Sequence, residues 1–313
     1  MLEQILTIGF FTAFFSAMIR MAVPLLYAGL GELVAEKTGI LNIGMEGVML
    51  SGAFFSFAGA LFSGNLGIGL LCGILGGVAV SMIHAFLSIK MAQNQSVSGI
   101  ALNMFVLGVT SFLAKLLKEG QSYQQIETLG TIKIPFLSDI PLIGDALFNQ
   151  DIFTYLLYVL IIVLTIFYKK TSIGLAFESI GEHPRAADAA GIPVYKYQYI
   201  AMLINGILGG IGGAYLVLVQ LGVFTENMTS GRGYIALAAV ILGRFTPIGT
   251  FGAALVFGGA NALQIRLQAV GVPLPAQALA MLPYLITLIA LLGSIGRSNE
   301  PESLSKPYIR GSR

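Results

Sequence analysis

The sequence has few of the residues that carry catalytic and redox chemistry. Its 313 residues include one cysteine, two histidines and no tryptophan. A single thiol, Cys72, excludes a disulfide within the chain. Neither an HExxH nor a GxSxG pattern occurs, so a metal site or a nucleophilic active site is not expected. The composition therefore predicts a protein that is not an enzyme and that needs no metal or cofactor.

Charge is also scarce. Only 10% of the residues are charged and 56% are hydrophobic, whereas soluble domains carry about 25% charged residues. The net charge of +2 comes from basic residues scattered among loops, which does not indicate a nucleic-acid partner. The 39 glycines suit close contact between helices in lipid. These features indicate a polytopic protein embedded in membrane lipid.

Long apolar runs divide the chain into candidate crossings. A helix of about 20 apolar residues spans the hydrocarbon core of a bilayer. The runs cover residues 5–33, 42–62, 66–89, 97–117, 152–168, 199–221, 234–242, 249–267 and 276–292. The run 234–242 is too short to span as a regular helix and is expected to continue in non-helical form through 244–248. We predict an all-α fold with about eight or nine transmembrane segments.

Basic residues predict the orientation, because lysine and arginine concentrate on the cytoplasmic side. Alternating the crossings with the loop around residue 181 inside places most of them in the cytoplasm. These are Lys37, Lys90, Lys169, Lys170, Arg185, Lys196, Arg244, Arg297, Lys306, Arg310 and Arg313. The outer loops keep Lys118, Lys133 and Arg232. The amino terminus is predicted outside, with residues 1–296 as the membrane domain and 297–313 as a loose cytoplasmic tail.

Two interrupted segments suggest related halves. Residues 39–54 read GILNIGMEGVMLSGAF and residues 231–245 read GRGYIALAAVILGRF. Each follows a long first crossing, and the alternation runs them in opposite senses. Paired interrupted helices in inverted repeats are typical of solute sites near the membrane midplane. We therefore predict two inverted pseudo-repeats.

Polar residues within the crossings are the candidate site. Glu46 lies with Asn42 in the first interrupted segment, and a carboxylate in lipid points to function. The alternative is a structural pair between Glu46 and Arg20. Asn103 and Asn205, in later crossings, either bond a polar solute or serve helix packing.

Nucleotide binding is not predicted. Gly31–Thr38 approaches a phosphate-binding loop, but Glu36 stands where the second glycine belongs and no strand precedes it. A carboxylate at that place would repel phosphate.

A short polar helix is predicted in the basic loop that covers about residues 169–198. Residues 181–193 read GEHPRAADAAGIP. Pro184 suits the first position of a helix, and Gly191 suits the left-handed position after its end. A helix this short is marginal alone. We expect another protein to hold it.

Three separated stretches carry a family resemblance. GELVAEKTGILNIGMEGVMLSGAF from residue 31, NQSVSGIALN from 94 and GEHPRAADAAGI from 181 occur in this order. Together they resemble bacterial ABC-importer permeases of the branched-chain amino acid and ribose superfamily. The wording of the first two is closest to the nucleoside permeases linked to basic membrane proteins.

The resemblance implies roles for these stretches. The last would be the coupling helix that docks on a separate ATPase: Gly181, Glu182, His183, Pro184, Arg185, Ala186, Ala187, Asp188, Ala189, Ala190, Gly191 and Ile192. The solute pathway would be lined by Asn42, Glu46, Asn94, Gln95, Ser98 and Asn103, with Asn205 as a further candidate.

The resemblance also implies partners and a location. They are an ABC ATPase subunit, a second permease that is often a different and longer chain, and an extracellular solute-binding lipoprotein. The chain would lie in the bacterial plasma membrane.

Two alternatives stay open at this stage. The same importer class could carry simple sugars such as ribose. An ion-coupled secondary transporter could use Glu46 as its coupling carboxylate, although such a carrier has no need of a capped docking helix.

Overall fold

The structure is a computed structural model that describes residues 8–120, 124–138, 140, 144–271, 275–293 and 299–311. It is almost entirely helical. Seven of its helices are long and apolar enough to cross a membrane: Gly9–Glu36, Met45–Ser63, Leu66–Lys90, Gln95–Glu119, Ile152–Lys170, Val194–Leu221 and Pro247–Ala269. The predicted all-α, polytopic fold is confirmed. The count of eight or nine crossings stays a prediction.

The first half contains four long helices. Helix α1 spans Ile8–Glu36, α2 Met45–Ser63, α3 Leu66–Ala85 and α4 Gln95–Gly120. A π-helical turn, Phe86–Lys90, extends α3. Asn65 begins α3 because its side chain accepts hydrogen bonds from the amides of Gly67 and Ile68. Residues 37–44, between α1 and α2, are not helical. We call them the break.

Short elements join the two halves. Strands β1 (Ile132–Lys133) and β2 (Asn149–Gln150) pair antiparallel, with α5 (Gly144–Phe148) before the second. Helix α6 (Ile152–Lys170) is capped by Asp151, whose carboxylate accepts from the amide of Thr154. Helix α7 (Ser172–Glu182) and helix α8 (Pro184–Ala189) follow.

The second half begins with α9, Val194–Tyr215, which continues as a π-helical turn, Leu216–Leu221. Helices α10 (Arg232–Leu242), α11 (Pro247–Ala269), α12 (Ala276–Ala280) and α13 (Leu282–Gly293) complete it. Helix α10 is short, and its chain leaves through left-handed residues Arg244 and Phe245. The prediction of non-helical chain through 244–248 holds for residues 244–246 and is wrong for Pro247 and Ile248, which begin α11. The predicted crossing 276–292 is divided at Met281 into α12 and α13.

The first long helix of each half packs against the other half. Helix α1 packs on α11 of the second half, and α9 packs on α2 and α3 of the first. Glycines permit the close contact between α9 and α3. A Cβ on Gly210 of α9 would lie only 2.8 Å from the carbonyl oxygen of Gly73 in α3, which is too close for a side chain. This reciprocal packing is what two related halves would give. The inverted repeat itself stays a prediction.

The carboxyl-terminal segment is packed against the protein. The expectation of a loose tail is wrong for residues 299–311, because they bond to α7, α8 and the start of the break. Arg297 and Arg313 of the predicted tail lie outside the described residues.

Candidate functional site

The break is buried although it is not helical. Among its residues, Thr38, Ile40 and Asn42 are no more than 1% exposed. Gly39 turns the chain with a positive φ of 83°. Backbone N–H and C=O groups that face neither water nor a helix need other partners, since an unpaired polar group in an apolar interior is costly.

Side chains from four helices supply those partners. The amide of Leu41 donates to Oε1 of Gln95 at 2.8 Å, and the amide of Asn42 donates to Oε1 of Glu32 at 2.7 Å. Nε2 of His84 lies 3.2 Å from the carbonyl oxygen of Leu41, and Nε2 of Gln198 donates to that of Thr38 at 3.2 Å. The break is therefore held in shape by hydrogen bonds from its surroundings.

A fully buried polar network joins the break to α1, α3 and α9. Nδ2 of Asn42 donates to Oδ1 of Asn205 at 2.8 Å, and Nδ2 of Asn205 donates to Oε2 of Glu32 at 2.9 Å. The Ser81 hydroxyl lies 3.0 Å from Oδ1 of Asn205. All four residues are 0% exposed. The network fixes the relative positions of the three helices.

Asn103 holds the beginning of α2. Its Oδ1 accepts from the amide of Gly47 at 2.7 Å. Its Nδ2 donates to the carbonyl of Ile43 at 2.9 Å and to the Tyr234 hydroxyl at 2.8 Å. One amide thus connects α4, the break and α10.

Glu46 caps α10. Its two carboxylate oxygens accept from the amides of Gly231 and Gly233, both at 2.7 Å. A carboxylate is favourable there because the first N–H groups of a helix lack partners and carry partial positive charge. The alternative pairing of Glu46 with Arg20 is wrong, since Arg20 instead donates from Nη2 to Ser16.

Six of the seven predicted pathway residues surround the break: Asn42, Glu46, Gln95, Ser98, Asn103 and Asn205. Asn94 does not belong to the buried network; it is exposed and caps α4 by accepting from the amide of Val97 at 3.0 Å. The described polar contacts of the six are made to backbone groups, to each other and to the side chains of Glu32, Ser81, His84 and Tyr234. Their role in the pathway stays a prediction.

Sequence reasoning missed Glu32, Ser81 and Gln198. Glu32 does have a signal in the sequence, because it is a carboxylate in an apolar run. Ser81 and Gln198 are ordinary polar residues on helices. Only the packing of α3 and α9 against the break reveals their partners.

A cavity of about 400 Å³ lies on the other side of α10. Met21, Leu25 and Phe257 give it apolar walls, and its polar lining comes from Ser230, Arg232, Asn261 and Gln264. Asn261 donates to the carbonyl of Phe257 through Nδ2, while Gln264 makes no side-chain hydrogen bond within the described part of the chain. The amide of Gln264 thus has no partner in the described part of the chain and stands beside an apolar wall.

The predicted short helix is present as α8. Pro184 is its first residue, and Gly191 after its end has a φ of 86°. The amide of Gly191 donates to Asp188 and that of Ile192 to Ala187, both at 3.0 Å, which closes the helix end. Ala187 is the one buried residue of the six, whereas Arg185, Ala186 and Ala189 are exposed. Gly181 and Glu182 belong to α7, and His183 separates the two helices.

An apolar helix bundle with a polar, unwound centre and an exposed, capped helix at one end has the structure of a membrane permease. The chain belongs to the family of permease components of branched-chain amino acid transport systems, whose family description matches residues 14–292. Family members are transporter subunits, which confirms the prediction that this chain is not an enzyme.

Individual relatives match nearly the whole chain. It is 41% identical to the guanosine ABC transporter permease protein NupQ of Bacillus subtilis, over 93% of this chain and 95% of the relative. It is 33% identical to the nucleoside ABC transporter permease protein NupC of Lactococcus lactis, over 94% and 95%. It is 32% identical to the ABC transporter permease protein TsgC13 of Haloferax volcanii, whose name refers to glucose, over 96% and 99%.

The Glu46 cap can be tested by Glu46→Gln. The amide keeps one oxygen for one of the two glycine N–H groups and turns an NH₂ toward the other. We expect a loss of about 1–3 kcal/mol, seen as a lower thermal unfolding midpoint in detergent. Glu226→Gln, an identical change in an exposed loop, is the control. Equal midpoints for the two variants would show that the cap contributes nothing.

Proposed function

We propose that this chain is the nucleoside-conducting permease subunit of an ATP-driven importer. The observation that carries the proposal is α8, a short helix that begins at Pro184, ends at the left-handed Gly191 and is joined to the break through α7. The likeness to permeases named for guanosine and nucleosides supports the cargo. The name of the Haloferax relative supports a simple sugar as the second candidate.

ATP hydrolysis would take place on a separate ATPase subunit, which the family membership implies together with a solute-binding protein. The second permease, proposed as a different and longer chain, and the lipid-anchored form of the binding protein are the finer parts of this proposal. An ion-coupled mechanism through Glu46 is disfavoured, because both oxygens of that carboxylate already accept backbone N–H groups.

The proposed location is the bacterial plasma membrane, with the amino terminus outside. The face that carries α8 also carries Lys37, Lys90, Lys169, Lys170 and Lys196 at or near the ends of helices. Such a concentration is typical of the cytoplasmic side. An ATPase would meet α8 there, on the side where ATP is present.

Movement of α8 would reach the break through α7. A Cβ on Gly181 would lie 2.5 Å from the carbonyl oxygen of Lys37, so the end of α7 touches the end of α1. Nζ of Lys37 also pairs with Glu178 of α7 at 2.9 Å. From the break, Glu46 and Asn103 lead to α10, which borders the cavity. The contacts form a continuous route from the docking face to a solute-sized space.

The cargo is tested by uptake into proteoliposomes that contain the complete importer and its binding protein. We expect ATP-dependent uptake of labelled guanosine or uridine that unlabelled nucleosides suppress and ribose, glucose and leucine do not. Uptake that a sugar suppresses and nucleosides leave unchanged would overturn the nucleoside assignment in favour of the second candidate.

We further propose the cavity beside α10 as part of the solute route. Gln264→Leu removes an unused amide from its wall while nearly conserving volume. The variant is expected to raise the KM for uptake several-fold, since one hydrogen bond contributes about 0.5–1.5 kcal/mol. Gln268→Leu, the same change at an exposed position one turn further along α11, is the control. Unchanged kinetics in Gln264→Leu would exclude this cavity from the route.

Docking by α8 is tested by Gly191→Val. A β-branched residue resists a φ of 86°, and such strain costs about 1–3 kcal/mol. A steric clash is not expected, because a Cβ at Gly191 would meet nothing within 4 Å. We expect weaker co-purification of the ATPase and loss of solute-stimulated ATP hydrolysis.

Gly64→Val is the control, because it places the same side chain at an exposed glycine after the end of α2, where φ is 64° and a Cβ would also meet nothing within 4 Å. This control is expected to behave like the wild type. Intact assembly and stimulation in Gly191→Val would contradict the role of α8.

A further inference from the structure

The tail segment, residues 299–311, lies across α7 and α8 and reaches the beginning of the break. Nothing in its composition of serine, proline and charged residues predicts this position. Its contacts fall into two groups, one at the end of α1 and one at α8.

The first group binds the tail segment to α7 and to the break at once. The amide of Ser303 donates to the carbonyl of Gly181 at 2.9 Å, and the amide of Ser305 donates to that of Gly39 at 3.1 Å. Gly39 is the third residue of the break, and Gly181 is near the end of α7. A Cβ on Gly39 would lie 2.6 Å from Oγ of Ser303, so the tail segment fills the space beside this glycine.

The second group is centred on Tyr308. Its hydroxyl donates to Oδ2 of Asp188 at 2.9 Å, and Nε of Arg310 lies 3.1 Å from the same oxygen. Burial raises the pKa of the Tyr308 phenol, and the Asp188 carboxylate acts in the same direction, so the hydroxyl remains a donor at neutral pH. Asp188 of α8 therefore has two partners in the tail segment.

The ring of Tyr308 completes the contact. It belongs to a small apolar cluster with Ile180 of α7, Ala187 of α8 and Val194 of α9. Its centroid is 5.4 Å from that of Tyr195, whose hydroxyl also accepts from the amide of Arg310 at 3.2 Å. Ala187 is the buried residue of α8, so the side of α8 that faces the protein is covered partly by the tail segment.

From these contacts we infer that the tail segment is an internal strap that makes α8 and the break move as one body. A helix of six residues does not keep its position by its own hydrogen bonds. Without the strap, α8 would still carry its outward docking face, but a push on that face would be absorbed by movement of α8 relative to α1. The inference rests on the proposed ATP-driven function and adds to it a residue-level requirement for coupling.

The test uses Tyr308→Ala in the complete importer in proteoliposomes. It removes the ring from the cluster and the hydroxyl from Asp188. We expect the ATPase to co-purify and basal ATP hydrolysis to persist. Solute-stimulated hydrolysis and uptake should fall at least about fivefold, the lower range of coupling effects between sites. Tyr308→Phe, which keeps the ring, is expected to fall between this variant and the wild type.

Lys306→Ala is the matched control, because the Lys306 ammonium donates to the carbonyl of Glu302, within the tail segment itself, and makes no other hydrogen bond to the described residues. Hydrogen–deuterium exchange of the peptide covering residues 181–193 supplies a readout independent of transport. Faster exchange is expected in Tyr308→Ala and not in Lys306→Ala.

Three results would overturn the strap. Unchanged uptake and stimulation in Tyr308→Ala would show that α8 needs no support. Unchanged exchange would show that the tail segment does not hold it. Loss of ATPase binding would make the tail segment part of the docking surface instead. A wild-type importer without nucleoside-stimulated hydrolysis would contradict the proposed cargo, and the strap would then be tested with the sugar that stimulates it.

Discussion

The structure depends on satisfying a stretch of buried backbone that is not helical. Lipid offers no hydrogen bonds, so irregular backbone at membrane depth requires partners from the protein. The break obtains them from Glu32, His84, Gln95, Asn103 and Gln198, which come from α1, α3, α4 and α9. The hydrogen-bond requirements of the eight residues of the break therefore determine the positions of four helices. The apolar packing of the bundle is arranged around this segment.

The same constraint explains where movement can be received and delivered. The break meets α7 and the tail segment at its first residues and α10 just beyond its end, through Glu46. A continuous helix at this place would resist displacement of its ends. A non-helical segment that is held by side chains can shift together with those side chains. Helix α7 touches one end of this segment, and the cavity-lining helix α10 is capped from just beyond the other. About ten residues, which span at most about 35 Å, thus connect the two helices.

The sequence predicted those features that a residue type signals locally, without knowledge of its distant partners. Pro184 and Gly191 mark the ends of α8, and long apolar runs mark the membrane helices, because these signals are local. It did not place Glu32 or Tyr308. A carboxylate in an apolar run has many conceivable partners, and only the packing of the break and α9 identifies Asn42 and Asn205 as the ones used. The tail segment has the composition of a loose terminus, and its order comes from contacts with residues more than a hundred positions away.

The bonding around the break also limits how the protein moves. Each buried donor or acceptor that loses its partner costs about 1–3 kcal/mol. Glu46 and Asn205 each hold more than one such bond, so refolding the break locally would break several at once. A displacement that keeps Glu32, Asn42 and Asn205 together leaves these bonds intact. If force acts on α8, the response that costs less free energy is a rigid-body shift of the break together with the helix ends bonded to it. The hydrogen-bond network that stabilises the fold therefore also determines which residues move together.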